Sequence, residues 1–212
     1  MKRWMAALLL GAMGLAVIGC GGGVKDQVAV LETDFGEIVL AFYPDVAPEH
    51  VANFKRLAEE GVYDGVLWHR VVPGFVIQSG DPSTALPDTP PGKYGSGGTD
   101  QNLKAEFNTL KHLRGTLGMA RSADPNSADS QFYICLTDIP HLDRKYTVFG
   151  EVVSGMDVVD KIAAVETGPR DIPLQPVHIK TVRITTWREA EIPKERMKPV
   201  FKKNKEGELI GG

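Results

Sequence analysis

The stretch Trp68-His69-Arg70-Val71-Val72-Pro73-Gly74-Phe75-Val76-Ile77-Gln78-Ser79-Gly80-Asp81 governs how the rest of the chain is read. β-Branched and aromatic residues flank Pro73-Gly74, a pair that ends one strand and turns the backbone into the next. Strands are therefore expected at Leu67–Val72 and Phe75–Ser79. Arg70 is followed at strand spacing by Phe75 and Gln78. A second segment answers it: Gly118-Met119-Ala120-Arg121, then Ser130-Gln131-Phe132-Tyr133-Ile134. Side chains alternate across a strand, so Phe132 and Tyr133 face opposite ways. Together the two segments supply a charged donor, amides and apolar walls without an evident nucleophile or metal cage. Such a set suits chemistry in which no covalent bond is broken.

Working outward, Val28 to Tyr43 reads as a hairpin turning at Asp34-Phe35-Gly36. Further strands are expected at Thr116–Arg121, Gln131–Leu136, Thr147–Val153 and Val177–Thr186, the last with a bulge after Ile179, where its alternation slips. Two helices are expected. Pro48 to Glu60 puts Val51, Phe54, Leu57 and Ala58 on one face, with Gly61 as the stop, and Asp157 to Val165 is a shorter one. Residues 82–102 are rich in Pro, Gly, Asp and Ser and read as a long surface loop of the kind that often binds ligands. Many short strands with two helices predict an all-β, closed or nearly closed structure.

Composition narrows the function classes. A formal net charge of −3, with no basic face in the body of the chain, gives no footprint for nucleic acid. The five histidines lack metal-ligand spacing, no G-x-S-x-G elbow is present, and Gly95-Ser96-Gly97-Gly98 is too weak to read as a phosphate loop. No cofactor or metal is expected. Lys2 and Arg3 precede an uncharged run from Trp4 to Ile18, which reads as a secretory signal. Val17-Ile18-Gly19-Cys20 resembles the bacterial lipobox, which implies cleavage after residue 19 and lipidation of Cys20. The expected organisation is a signal over 1–19, a glycine-containing linker over 20–26, a domain over 27–187 and a mobile charged tail over 188–212. The implied place is the cell envelope, on the periplasmic side of the outer membrane if the host has two membranes. Cys135 sits in an apolar run and reads as a buried thiol, so no disulfide framework is expected.

Taken alone, Arg70 would be an ordinary surface ion-pair residue. Its neighbourhood changes that reading. His69 to Asp81, the segments around Gly118 and Ser130, Leu142-Asp143-Arg144-Lys145-Tyr146-Thr147-Val148-Phe149-Gly150, Asn53-Phe54 and Gly155-Met156-Asp157-Val158-Val159 follow one another in order. In this the chain resembles the cyclophilins, the peptidyl-prolyl cis–trans isomerases, over about residues 27 to 186. The resemblance implies a closed eight-stranded antiparallel barrel with a helix over each end and an active groove on its outer wall. It implies that Arg70 is catalytic and that Phe75, Val76, Tyr133 and Leu142 line a proline pocket, which assigns Tyr133 to the groove and leaves Phe132, on the opposite face, for the core. Gln78 would bond substrate backbone. Ala120, Arg121 and Ser122 would pair with the peptide main chain beside Gln131, and Gly95–Gly98 would flank the groove. His141 and Tyr146 complete the implied contact set. Partners would be proline-containing polypeptides, and the protein would be a monomer assisting the folding of exported proteins.

Four positions depart from common family residues. Tyr133 replaces Phe, Val76 replaces Met, Tyr146 replaces His, and His141 replaces a Trp linked in the family to cyclosporin binding. Weak cyclosporin sensitivity with intact isomerisation is the expectation. The competing function is a non-catalytic chaperone or scaffold lipoprotein that binds proline segments. Arg70 discriminates between the two, because a binder has no need of it.

Overall fold

The computed structural model describes residues 26–193, together with the backbone of 201–203 and 209–211. The expected signal, Cys20 and nearly all of the linker lie outside the described residues. Eight strands form one antiparallel sheet: β1 Gln27–Thr33, β2 Gly36–Phe42, β3 Arg70–Val72, β4 Val76–Ser79, β5 Thr116–Met119, β6 Phe132–Cys135, β7 Val148–Ser154 and β8 Ile179–Thr186. Helix α1, Pro48–Glu59, follows β2, and α2, Met156–Ala163, follows β7. The strands lie in the order β3-β4-β6-β5-β7-β2-β1-β8.

The sheet curls but does not close, which corrects the closed barrel that the resemblance implies. Strands β3 and β8 remain its two ends. Across the seam, the chain before β3 meets the start of β8 through an isolated bridge, Leu67 to His178. Backbone bonds from Trp68 N to Val177 O (2.9 Å) and from Ile179 N to Val66 O (2.8 Å) reinforce it. The ladder stops there because β3 is only three residues long, and its outer side is met by the turn Pro169–Asp171 rather than by a strand. The bulge expected in β8 is present: Thr33 pairs with Ile179 and Glu32 with Thr181, leaving Lys180 as the extra residue.

The core lies inside the curl. Phe54 of α1 sits with Tyr63, Phe132, Phe42 and Phe149, at centroid separations of 4.9, 5.3, 5.5 and 5.8 Å. Ala47 gives α1 no side-chain cap. The Glu106 carboxylate, more than fifty residues away, instead accepts from the N–H groups of Glu49 and His50 at 3.1 and 3.0 Å. It thereby satisfies two of the donors that a helix start leaves open. Before α2, Gly155 has φ +85°, and a Cβ there would lie 2.2 Å from the Glu37 carbonyl oxygen, so only glycine fits.

Strand β1 is buried on both faces. Ala29 and Leu31 face the core, while Val28 and Val30 belong to a second cluster covered by Trp187, Ala190 and Ile192. The first residues of the expected mobile tail therefore pack on the domain. Farther along, β9, Phe201–Lys203, pairs antiparallel with β10, Leu209–Gly211.

Candidate active site

Hairpin β3–β4 sets Arg70 directly opposite Gln78, and β4 then pairs Gln78 with Tyr133 of β6. Register alone thus gathers an arginine, an amide and an aromatic ring on the outer face. Alternation sends Phe132 the other way, fully buried in the core, as expected. Tyr133 joins Val76, Cys135 and Ile139 in an outer cluster, with Phe75, Ala120, Leu142 and Tyr146 packed against it.

These side chains enclose a notch of about 160 Å³, lined by Arg70, Phe75, Val76, Gln78, Ala120, Arg121, Tyr133, Leu142 and Tyr146. Ser122 and Gln131 line an adjoining depression of about 480 Å³, bordered by the Gly95–Gly98 loop. Although larger, that depression lacks Arg70 and the aromatic walls, which frame the smaller notch. His141 lines neither but stacks on Phe75, with the two rings 5.9 Å apart and 7° from parallel. All the residues singled out from sequence in the described part of the chain therefore meet on one face.

Arg70 is held from two sides. Its Nε lies 3.5 Å from Asp171 Oδ2, and its Nη1 lies 3.5 Å from Gln78 Oε1. Gln78 Nε2 donates to Gln131 Oε1 at 3.0 Å, and Gln131 Nε2 donates to the Gly97 carbonyl at 2.8 Å. A single hydrogen-bonded line thus runs from Arg70 along the floor to the glycine loop. That loop is fixed by two carboxylates. Asp81 accepts from the N–H groups of Gly95 and Gly97 at 2.7 and 3.2 Å, and Asp129 accepts from Thr99 and Asp100.

Arg121 is not extended toward solvent. Its guanidinium lies 4.3 Å over the Tyr146 ring and donates to the carbonyls of Ser122 and Lys145 at 2.8 and 2.9 Å. Strand β5 ends at Met119, short of the expected Arg121. Ser122 has its N–H on Ser127 Oγ, so a peptide pairing along this edge must share groups already bonded.

Sequence reasoning missed Asp171, because it reaches Arg70 from a turn a hundred residues away. Both Arg170 and Asp171 have left-handed backbone, φ 64° and 60°, which is uncommon outside glycine. Arg170 donates to the carbonyls of Gly92 and Tyr94 at 2.6 and 3.0 Å. Among the described residues no group of three or more His, Cys, Asp or Glu is placed to hold a metal. Burial pushes the Cys135 thiol up to about 12, so it stays protonated at neutral pH.

His69 is buried beneath Gly95. Burial drives its pKa from 6.5 down to about 4, with Asp81 opposing the shift and Arg70 adding to it. The unfolded chain therefore takes up a proton that the folded one refuses. Stability is present above pH 6.5 and is lost as pH falls toward 4, by roughly 3 kcal/mol at 1.36 kcal/mol per unit. Urea midpoints at pH 7, 5.5 and 4 are expected to fall more steeply for wild type than for His69→Gln. Equal slopes would assign the acid lability to other groups.

Comparison with known proteins identifies the family and its fold. The family model described as cyclophilin type peptidyl-prolyl cis-trans isomerase/CLD matches residues 28–184. A probable peptidyl-prolyl cis-trans isomerase of Brucella abortus is 48% identical over 140 residues, covering 65% of this chain and 71% of the relative. An isomerase of Schizosaccharomyces pombe is 41% identical over 151 residues, covering 70% and 93%. The Cryptosporidium parvum cyclophilin type isomerase, solved in the presence of the dipeptide Ala-Pro, superposes with a TM-score of 0.68 at 26% identity, covering 75% of this chain and 99% of that one. The chain belongs to the cyclophilin-type peptidyl-prolyl cis-trans isomerases, a family of isomerase enzymes.

Proposed function

We propose that Arg70 accelerates rotation about Xaa-Pro peptide bonds whose prolyl ring sits against Phe75, Val76, Tyr133 and Leu142. The observation that carries this reading is a half-exposed guanidinium at the lip of an apolar notch, tied by Asp171 and Gln78.

Rotation must overcome roughly 18–20 kcal/mol of lost amide resonance. In the twisted amide the prolyl nitrogen turns pyramidal and regains its lone pair. A donor aimed at that nitrogen stabilises the twisted form and leaves the planar form nearly unaffected, which is selective binding of the transition state. Arginine suits the task because it stays protonated and presents a rigid fork of donors. With Nε turned to Asp171 and Nη1 to Gln78, Nη2 is the group left to point at the imide. One charge-assisted bond contributes about 1.5–3 kcal/mol. The twisted amide is also less polar than the planar one, so the apolar walls favour it further. Gln78 and Gln131 orient the flanking backbone, and Ala120 to Ser122 offers an edge along which the peptide lies. Clamping one side of the bond while the other turns supplies the remaining orientation. No bond breaks, and no cofactor enters.

The test is exchange spectroscopy on an Xaa-Pro peptide with the intact chain. Acceleration well above the uncatalysed rate is the expected result, and binding without acceleration would leave a non-catalytic proline-peptide binder. His141 in place of a tryptophan supports weak sensitivity to cyclosporin. The lipobox-like Val17–Cys20 run supports a lipid-anchored enzyme in the cell envelope that acts on exported proteins. Mass measurement of the mature N-terminus tests the anchor, which an unmodified Cys20 would remove.

A further inference from the structure

Behind the notch lies a buried polar chain that the mechanism above does not use. Tyr133 Oη lies 3.0 Å from His112 Nε2, and His112 Nδ1 lies 3.1 Å from Asp143 Oδ1. The same carboxylate oxygen accepts the His112 backbone N–H at 2.8 Å, while its other oxygen meets Lys111 Nζ at 3.1 Å. Both rings are buried, with His112 1% and Tyr133 5% exposed. A carboxylate can only accept, so the proton on His112 sits at Nδ1. Nε2 is then an acceptor, and the Tyr133 hydroxyl must donate to it. Burial holds the His112 imidazole below its ordinary pKa, against the pull of Asp143, which favours the neutral ring with Nε2 unprotonated. Burial also acts to raise the Asp143 carboxyl, but its bonds to His112 and Lys111 outweigh this and hold it low.

Two further observations place this chain in control of the ring. A Cβ at Gly118 would lie 2.3 Å from Tyr133 Cζ, so the far end of the ring occupies space that only glycine leaves open on β5. The ring also stands edge-on to Tyr146, with centroids 6.2 Å apart at 81°, and Tyr146 carries Arg121 on its face. The ring is therefore packed against Gly118 and Tyr146 and tied at its tip by His112. A phenylalanine in its place would have packing alone to hold it.

We propose that His112 and Asp143 are positioning residues for the proline pocket, acting through the Tyr133 hydroxyl to hold that ring where it forms the pocket wall. Neither residue lines the notch. The inference rests on the pocket reading above and names what keeps one of its walls in place. A wall held in one orientation favours the twisted amide without reorganising at the moment of rotation.

Tyr133→Phe keeps the ring and removes only the tether, so it is expected to fold. Losing one net hydrogen bond to the wall is expected to lower kcat by about three- to tenfold with KM within about twofold, and to speed ring flipping at position 133 in aromatic NMR spectra. His112→Leu is expected to match it, and His112→Gln, which can donate to Asp143 and accept from Tyr133, to recover most of the loss. In the Tyr133→Phe background, His112→Leu is expected to add little. Unchanged kcat and ring flipping in Tyr133→Phe would overturn the proposal. So would a His112→Leu loss equally large in both backgrounds. Failure of the pocket itself reads differently, because Arg70→Ala would then also leave turnover unchanged.

Discussion

Replacing Arg70 with alanine is expected to lower catalysed Xaa-Pro exchange by about 10- to 100-fold, while peptide affinity stays within about threefold. The size follows from one charge-assisted hydrogen bond of about 1.5–3 kcal/mol, at 1.36 kcal/mol for each tenfold change in rate. The asymmetry follows from where that bond forms. A planar prolyl nitrogen has no free lone pair to offer, so the ground-state complex does not feel the loss, whereas the twisted amide does. Exchange spectroscopy at saturating peptide and a binding titration separate the two quantities. If both fell together, the guanidinium would be serving ordinary binding. Arg70→Lys sharpens the test. It keeps the charge but cannot face Asp171, Gln78 and substrate with one planar group, so most of the loss is expected to persist.

Phe132→Ala is expected to cost about 3–5 kcal/mol of stability, the range for truncating a buried aromatic ring. Phe132 has no exposed surface and lies 5.3, 5.6 and 5.8 Å from the rings of Phe54, Tyr63 and Trp68. A domain typically holds only about 5–15 kcal/mol in all. The variant should therefore show a much lower urea midpoint and, at low temperature, near-normal turnover by its folded fraction. A loss below about 1 kcal/mol would mean that the aromatic cluster closes over the vacancy. The adjacent Tyr133 gives the contrast, since its substitutions are expected to act first on turnover.

That contrast was legible in the sequence because alternation is a local rule: neighbours in β6 face opposite ways whatever else the chain does. The hairpin at Pro73-Gly74, the helix beginning at Pro48 and the extra residue after Ile179 were legible for the same reason, since each is written in adjacent residues. The resemblance, through its linked motifs, supplied the gathering of Arg70, Phe75, Gln78 and Tyr133. What the sequence hid depends on encounters between distant segments. Glu106 capping α1, Asp171 meeting Arg70 and His112 meeting Tyr133 each require a finished fold. The open seam between β3 and β8 was hidden too, because strand-like composition does not say which edges will meet. Strand ends were also overread: Arg121 carries a strand-compatible neighbourhood, yet the strand ends at Met119 and the Ser122 N–H goes to the Ser127 hydroxyl rather than to a ladder partner.

The turn at Arg170 and Asp171 reaches both banks of the groove, one residue gripping the carbonyls of Gly92 and Tyr94 and the next facing Arg70. The span between the glycine loop and the guanidinium is thus gauged by two consecutive residues, as a caliper is by its pivot. A client chain would meet an opening of preset width, and the bonds at either end of that pair are what keep two left-handed residues in place.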